Sequence, residues 1–228
     1  AAHSGRYWIG TTDPLTAVKL RINGTGLKAG QHIRHLTAEV GGGIGYAGPH
    51  FVHTFDLLLP PEKYFAEHPE YYALIDGKRT AKHLYSQPCL SNPDVLRIMI
   101  EGIRSWLRDN PEARLVSVSQ NDSFVIGSYC TCPACRAVNE EEGAPSGSLI
   151  RFVNAVAEAL EPEFPEVTFD TLAYQYSTQP PKLTHPRHNV VIRMCTGGCS
   201  SHPIPDCANN AGSADAIRGW SQICRQLY

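Results

Sequence analysis

Long apolar runs are missing from this sequence: no stretch of its 228 residues approaches the roughly 20 uninterrupted apolar residues of a membrane-spanning helix. There is also no Lys/Arg-rich run, and the formal net charge is -2. Nucleic acid therefore finds no electrostatic footprint, and an anionic membrane surface has nothing to attract. Ala1-Ala2-His3-Ser4 carries neither the charged nor the apolar region of a signal peptide, although a signal can precede residue 1. No Gly-x-Gly-x-x-Gly follows a strand-like run. Gly41-Gly42-Gly43-Ile44-Gly45 stands before Phe51 instead of between a strand and a helix, so it reads as a loop and not as a dinucleotide site. What remains is an ordinary globular composition, 42% hydrophobic and 18% charged. The eight cysteines are many for a cytosolic enzyme, but they are clustered, and a core of this size does not demand disulfides.

Short β-rich runs alternate with helical segments, the sequence form of a parallel sheet wrapped by helices. Strands are expected at Phe51–Phe55, Arg114–Ser119, Val167–Tyr174 and Asn189–Met194. Asn92-Pro93-Asp94 is an N-cap followed by proline at the first helical position; Val95, Ile98, Met99, Ile103 and Trp106 continue at helical spacing to a stop near Asn110-Pro111. Ser146-Gly147-Ser148 opens a second helix with Leu149, Phe152, Val153, Val156 and Leu160 on one face, stopped by Pro162. Ile217, Trp220, Ile223 and Leu227 predict a third over Ser213–Tyr228. A (β/α)8 barrel is preferred over an open doubly wound sheet. Since a complete barrel takes about 250 residues and four strands are visible, the chain is expected to be one incomplete barrel domain, a fragment lacking strands at both ends. Its open edges predict aggregation of residues 1 to 228 expressed alone.

Barrel enzymes keep their acids and bases at the C-terminal strand ends. Val116-Ser117-Val118-Ser119-Gln120-Asn121-Asp122 leaves a buried strand and finishes on polar residues, so Asp122 is the candidate acid, against a reading in which Asn121 and Asp122 merely cap a loop. An ordinary glycosidase needs two carboxyl groups, and only one is well placed. The second lies elsewhere, or the substrate's acetamido oxygen supplies the nucleophile. His53, Gln120, Tyr174, Gln175 and Arg193 occupy comparable positions and suit hydrogen bonding and stacking to a sugar.

Cys130-Thr131-Cys132-Pro133-Ala134-Cys135 puts three thiols within six residues, with Cys89 the candidate fourth ligand. Either a structural zinc ion or disulfides would account for them. Cys195, Cys199, His202, Cys207 and Cys224 invite the same two explanations. A catalytic thiol among them lacks a third, orienting residue.

The chain resembles a bacterial family catalogued as domain of unknown function 4838. The likeness runs over residues 50–228, through Val52-His53-Thr54-Phe55, Leu59 to Phe65, His68 to Leu74, Gly77-Lys78-Arg79, Cys89 to Pro93, Gln120-Asn121-Asp122, Cys130 to Cys135, and Ser201-His202-Pro203 with Cys207. The resemblance implies a TIM barrel related to hexosaminidase and α-glucuronidase barrels. Some members form glycoside hydrolase family 163, endo-β-N-acetylglucosaminidases that release complex N-glycans. It further implies Asp122 as general acid with Asn121 beside it contacting the sugar, no cofactor for catalysis, a glycan or glycoprotein partner, and a secreted or periplasmic protein. Related acetamido-assisted barrels carry a carboxylate just before the acid, and Asn121 departs from that pattern. The alternatives are a carbohydrate-binding barrel without chemistry and, further off, a metal or redox module built on the cysteines.

Overall fold

The computed structural model describes residues 45–84, 86–124 and 126–228, together with the two-residue strands β1 (His3–Ser4) and β2 (Ile22–Asn23), which pair parallel. Residues 41–44 of the glycine-rich run lie outside the described residues. A small antiparallel hairpin joins β3 (Leu74–Ile75) to β4 (Lys78–Arg79). Its turn, Asp76-Gly77, has both residues at positive φ, 49° and 75°, the backbone of the tight hairpin turn for which an Asp-Gly pair is suited.

The main sheet is parallel and contains β5 (Leu115–Ser117), β6 (Thr168–Ala173) and β7 (Val190–Met194), in that order. Register runs Leu115↔Thr168 and Phe169↔Val190. Parallel bridges extend it on both edges, Tyr46 beside Leu115 and Leu227 beside Ile192. The five segments therefore lie side by side in sequence order. The described residues form a mixed α/β unit with a parallel sheet and no closed barrel. The strands read at 167–174 and 189–194 match β6 and β7, and β5 is shorter than the run at 114–119 because Ser119 turns to bond a neighbouring loop.

The strand expected at Phe51–Phe55 does not form. His53 sits at φ 55°, which breaks an extended run, and Thr54 is already helical, at φ -95° and ψ -9°. The segment docks on β5 through side chains: the Thr54 hydroxyl donates to the Ser117 carbonyl at 2.8 Å and accepts from Ser119 N–H at 3.1 Å. Helix α1 (Phe55–Leu58) follows directly, then α2 (Pro61–Tyr64). The sheet position assigned to 51–55 belongs instead to Tyr46.

Helix α3 (Pro93–Asp109) begins as its sequence predicts: Asn92 Oδ1 accepts from Asp94 N–H at 2.9 Å and Val95 N–H at 3.4 Å, with proline at the first helical position. Its buried stripe is Val95, Met99, Ile103 and Leu107, four residues apart. Helix α4 (Pro133–Glu142) opens inside the cysteine cluster and stops at Gly143, φ 70°, a left-handed C-cap. Helix α5 (Ser146–Leu160) follows after three residues, close enough that a Cβ on Gly147 would meet the Glu142 Cβ at 2.4 Å. Helix α6 (Ala211–Ile223) ends earlier than the expected 213–228, because the residues after Cys224 extend to pair with β7: Ile192 N–H donates to the Gln226 carbonyl at 3.0 Å and Tyr228 N–H to the Ile192 carbonyl at 2.9 Å. No helix among the described residues is long and apolar enough to cross a membrane.

The core lies between the sheet and helices α3 and α5: Val116, Val118, Phe169, Val190 and Ile192 pack with Met99, Ile103, Leu149, Val153 and Val156. Alternation along each strand turns Ser117, Asp170 and Arg193 to the opposite face. A parallel sheet with helices on one face, and with Ser117, Asp170 and Arg193 among the side chains on the other, is what positions the candidate site.

Candidate functional site

The residues just beyond β5 and β6 form a connected rim. Asp122 Oδ1 accepts from the Tyr174 hydroxyl at 3.0 Å and from Ser123 N–H at 2.9 Å. Among the described residues Oδ2 takes no hydrogen bond. Gln175 Nε2 donates to the Ser123 carbonyl and lies 3.1 Å from the Tyr174 hydroxyl oxygen. Gln120 Nε2 donates to the Tyr174 carbonyl at 2.7 Å and to Ser177 Oγ at 2.8 Å, while its buried Oε1 has no partner among the described residues. His53 Nδ1 donates to the Gln120 carbonyl at 2.8 Å, and its ring stands 6.1 Å from the Tyr174 ring. Burial first, then the Asp122 carboxylate, raises the Tyr174 phenol above its ordinary pKa.

Backbone strain gathers at the same place. His53 and Gln175 both hold positive φ, 55° and 51°, a conformation that costs a residue with a Cβ about 1–2 kcal/mol.

Asn121 is buried and fully engaged. Its Nδ2 donates to Asp56 Oδ1 at 2.6 Å and to the Ser86 carbonyl at 3.2 Å, and its Oδ1 accepts from Asp56 N–H at 2.9 Å. The Gln87 side chain brackets the Asn121 backbone, donating to its carbonyl and accepting from its N–H, each at 2.9 Å. Asn121 thus has no amide proton left for a sugar while these bonds stand. Asp56 is a carboxylate that the sequence reasoning missed. Burial raises its pKa against the opposing hydrogen bond from Asn121 and the charge of His83. Nothing local marks Asp56 or Gln87: they join the rim only because helix α1 and the loop after Thr80 pack against the end of β5.

Arg193 does not join this cluster. Its guanidinium lies on the polar face of the sheet, with Nε 3.1 Å from Asp170 Oδ2, a bond to the Phe51 carbonyl, and the Tyr46 and Phe51 rings 6.0 and 5.4 Å from its charge centre. The Tyr46 hydroxyl donates to the same Asp170 oxygen at 2.5 Å. Burial raises the Asp170 carboxyl despite Arg193 and Tyr46, and burial followed by Asp170 raises the Tyr46 phenol. Asp170, absent from the sequence reading, is the centre of this second network.

A family model described as "Domain of unknown function (DUF4838)" matches residues 19–228. The chain belongs to the DUF4838 family. No curated protein matches this DUF4838 chain. Among solved structures it is similar to the GH36 α-galactosidase AgaB from Geobacillus stearothermophilus, at 14% identity and a TM-score of 0.33, over 70% of this chain and 20% of that one. The chain thus spans 20% of that enzyme's length.

Two further clusters in this DUF4838 chain could hold a metal ion. The first is Cys89, Cys130, Cys132 and Cys135, all buried; the second is Cys199, His202 and Cys207, on the surface. In each, the ligand atoms lie within 4.8 Å of one another, and none of the eight cysteines is in a disulfide. In the first, Cys89 Sγ is 3.6 Å from Cys132 Sγ and 3.8 Å from Cys135 Sγ. Its thiols depress and raise one another: the hydrogen bond shared with Cys130, then burial, pushes Cys89 up to about 12, while bonds from Cys135 and Cys89 pull Cys130 down. In the second, Cys199 Sγ is 3.0 Å from His202 Nδ1, and that contact lowers its pKa. Cys195 and Cys224 belong to neither group.

Proposed function

We propose that residues 45–228 are an arc of one (β/α)8 barrel domain whose rim is a glycoside hydrolase-type site. In this reading Asp122 is the general acid, and the substrates are N-acetylglucosamine-containing glycans, cut in the manner of an endo-β-N-acetylglucosaminidase. The barrel reading rests on strand order: Tyr46, β5, β6, β7 and Leu227 follow one another without the reversal that defines a doubly wound sheet. The rim lies at the C-terminal strand ends, where barrels carry chemistry.

One observation carries the chemical reading. Asp122 is held through a single carboxyl oxygen by Tyr174 and Ser123, with the other oxygen open. A carboxyl fixed this way can present the free oxygen and its proton to a glycosidic oxygen, the geometry general-acid catalysis requires. Gln120 Oε1, buried without a partner among the described residues, suits an acetamido N–H or a sugar hydroxyl. Tyr174, His53 and Gln175 line the same rim as sugar contacts. Asn121 is a positioning residue that ties Asp56, the second carboxylate, to the strand end. With the substrate's own acetamido oxygen as nucleophile, the reaction needs no cofactor. Arg193 sits outside the rim and supports the sheet face. A bacterial protein working outside the cytoplasm would meet such glycans.

The reading is tested by mass spectrometry of glycans released from a glycoprotein by the protein and by its Asp122→Asn variant, with matched thermal melts. Release by the unaltered protein alone, between the two core N-acetylglucosamines, supports the hydrolase. Equal release by both removes Asp122 from the mechanism. A second reading, a barrel that binds glycans without chemistry, is favoured by Asn121, an amide whose donors are already used where acetamido-assisted enzymes keep a carboxylate. Glycan binding by both proteins with release by neither supports it.

A further inference from the structure

We propose that Cys89, Cys130, Cys132 and Cys135 bind one structural zinc ion that fastens the lobe beside the candidate site. Zinc held by four thiolates at about 2.3 Å sets neighbouring sulfurs about 3.8 Å apart by tetrahedral geometry. The Cys89 sulfur stands 3.6 and 3.8 Å from those of Cys132 and Cys135, and all four lie within 4.8 Å of one another. A disulfide needs about 2.05 Å. Four thiols turned to one point, each nearly excluded from water, have no apolar reason to converge, and as thiolates they would repel one another without a cation between them.

The surroundings are those of a metal–thiolate site. Cys132 is the N-cap of α4 and Cys135 lies in its first turn, so the positive end of the helix stands beside the sulfurs. The hairpin β3–β4 supplies donors from the other side: Leu74 N–H to Cys130 Sγ at 3.3 Å and Arg79 Nη1 to the same sulfur at 3.6 Å. N–H···S bonds and a guanidinium offset the net negative charge that four thiolates leave on a divalent ion. Thr131 N–H and Oγ1 both donate to the Leu74 carbonyl, at 2.9 and 2.6 Å, which locks the cysteine loop to the hairpin.

Packing gives an independent reason. The buried apolar residues of this lobe are Ala73 and the four cysteines, with Leu74 and Ile75 partly buried against them, separate from the main core. A cluster that small does not bury enough apolar surface to order its loops, and small cores of this kind rely on a covalent or metal cross-link. All four coordination positions are filled by sulfur, which makes the ion structural and leaves no site for water or substrate. It nevertheless reaches the rim, because Gln87, which brackets Asn121, is two residues from Cys89. Gln87 and Tyr176 also line one crevice with Cys130 and Cys135.

The test is the metal content of the full chain produced with zinc supplementation, by elemental analysis and native mass spectrometry after washing with chelator. One zinc per chain is expected, lost in Cys135→Ser with at least a ~100-fold weaker affinity and kept in Cys199→Ser. Should Cys135→Ser fail to fold, cobalt loading of the unaltered chain decides: the intense sulfur-to-cobalt charge-transfer bands of a tetrahedral thiolate site support the proposal, and octahedral cobalt spectra overturn it. A metal-free chain lighter by the hydrogens of two disulfides, a metal-free chain with four free thiols in this lobe, or zinc retained at full stoichiometry by Cys135→Ser would each overturn it.

Discussion

Cys89, Cys130, Cys132 and Cys135 are each 5% exposed or less, whereas Cys199, His202 and Cys207 stand on a surface loop with His202 exposed. The buried group has four like ligands, donors on two sides and a helix starting from it. The surface group has two thiols and one imidazole, with Cys199 Sγ 3.0 Å from His202 Nδ1. Asparagine also holds its loop: the buried Asn210 side chain accepts from Cys199 N–H at 2.7 Å and donates to the Cys199 carbonyl at 3.0 Å. Two clusters that look alike as text therefore differ in what their surroundings require. One region is short of apolar contacts and places its cysteines where a cross-link would stand, and the other is held by an asparagine and leaves its thiol accessible.

The largest effect that would break this comparison is on stability. Cys135→Ser is expected to lower the thermal midpoint by about 10 °C, corresponding to about 3 kcal/mol in a domain of this size, while Cys199→Ser changes stability by less than about 0.5 kcal/mol. Calorimetry of the two variants checks this, and equal losses would erase the distinction.

Next comes the opposite end of α4, the helix that starts in the buried cluster. Glu142 is buried, accepts from Leu183 and Thr184 N–H, each at 2.9 Å, and pairs with Arg151 at 2.6 Å. Glu142→Ala leaves two backbone donors without their acceptor and takes one of the two carboxylates from Arg151, which keeps Glu141, and is expected to destabilise by about 3 kcal/mol in chemical denaturation. Burial opposes ionisation of Glu142, but the bonds from Thr184, Leu183 and Arg151 outweigh it and hold the carboxyl at about 2. Because the folded pKa lies below the unfolded one, this stabilisation is present above about pH 4.5 and is lost as pH falls toward 2. Glu142→Gln should flatten that part of the stability profile.

A smaller effect sharpens the contrast at the rim. Tyr174→Phe removes one of the two bonds on Asp122 and is expected to lower turnover about tenfold, equivalent to about 1.4 kcal/mol, with the melt unchanged. The smallest is chemical reactivity. Cys199, lowered by His202, should be alkylated at neutral pH before any cysteine of the buried group, and His202→Ala should slow it. Peptide mapping after brief iodoacetamide treatment reads both.

Much of the frame was legible beforehand. The start of α3 at Asn92-Pro93, the start of α5 at Ser146, and strands β6 and β7 follow from caps and periodicity that act within a few residues. The strand at 51–55 was misread because Val52-His53-Thr54-Phe55 has strand composition, yet Thr54 finds better partners in Ser117 and Ser119 than an extended ladder would offer. Helix α4 went unread because its first turn is the cysteine cluster, whose spacing speaks of ligands and not of periodicity. Of the rim, Gln120, Asp122, Tyr174 and Gln175 lie together just beyond β5 and β6, while His53 reaches them from a loop and not from a strand end. Arg193 turned instead to Asp170, a carboxylate buried mid-strand whose charge needs a partner more than the rim does.

The sequence by itself determined the alternation of parallel strands and helices, the carboxylate at the end of β5, and the local reach of Cys130, Cys132 and Cys135 toward one another, because each depends on contacts close along the chain. Only the tertiary structure decided that Cys89 meets those three in a buried site, that Asn121 faces Asp56 and Gln87, and that the second cysteine group stays at the surface. Burial and hydrogen-bond satisfaction are settled between segments tens of residues apart, where no local spacing carries the information.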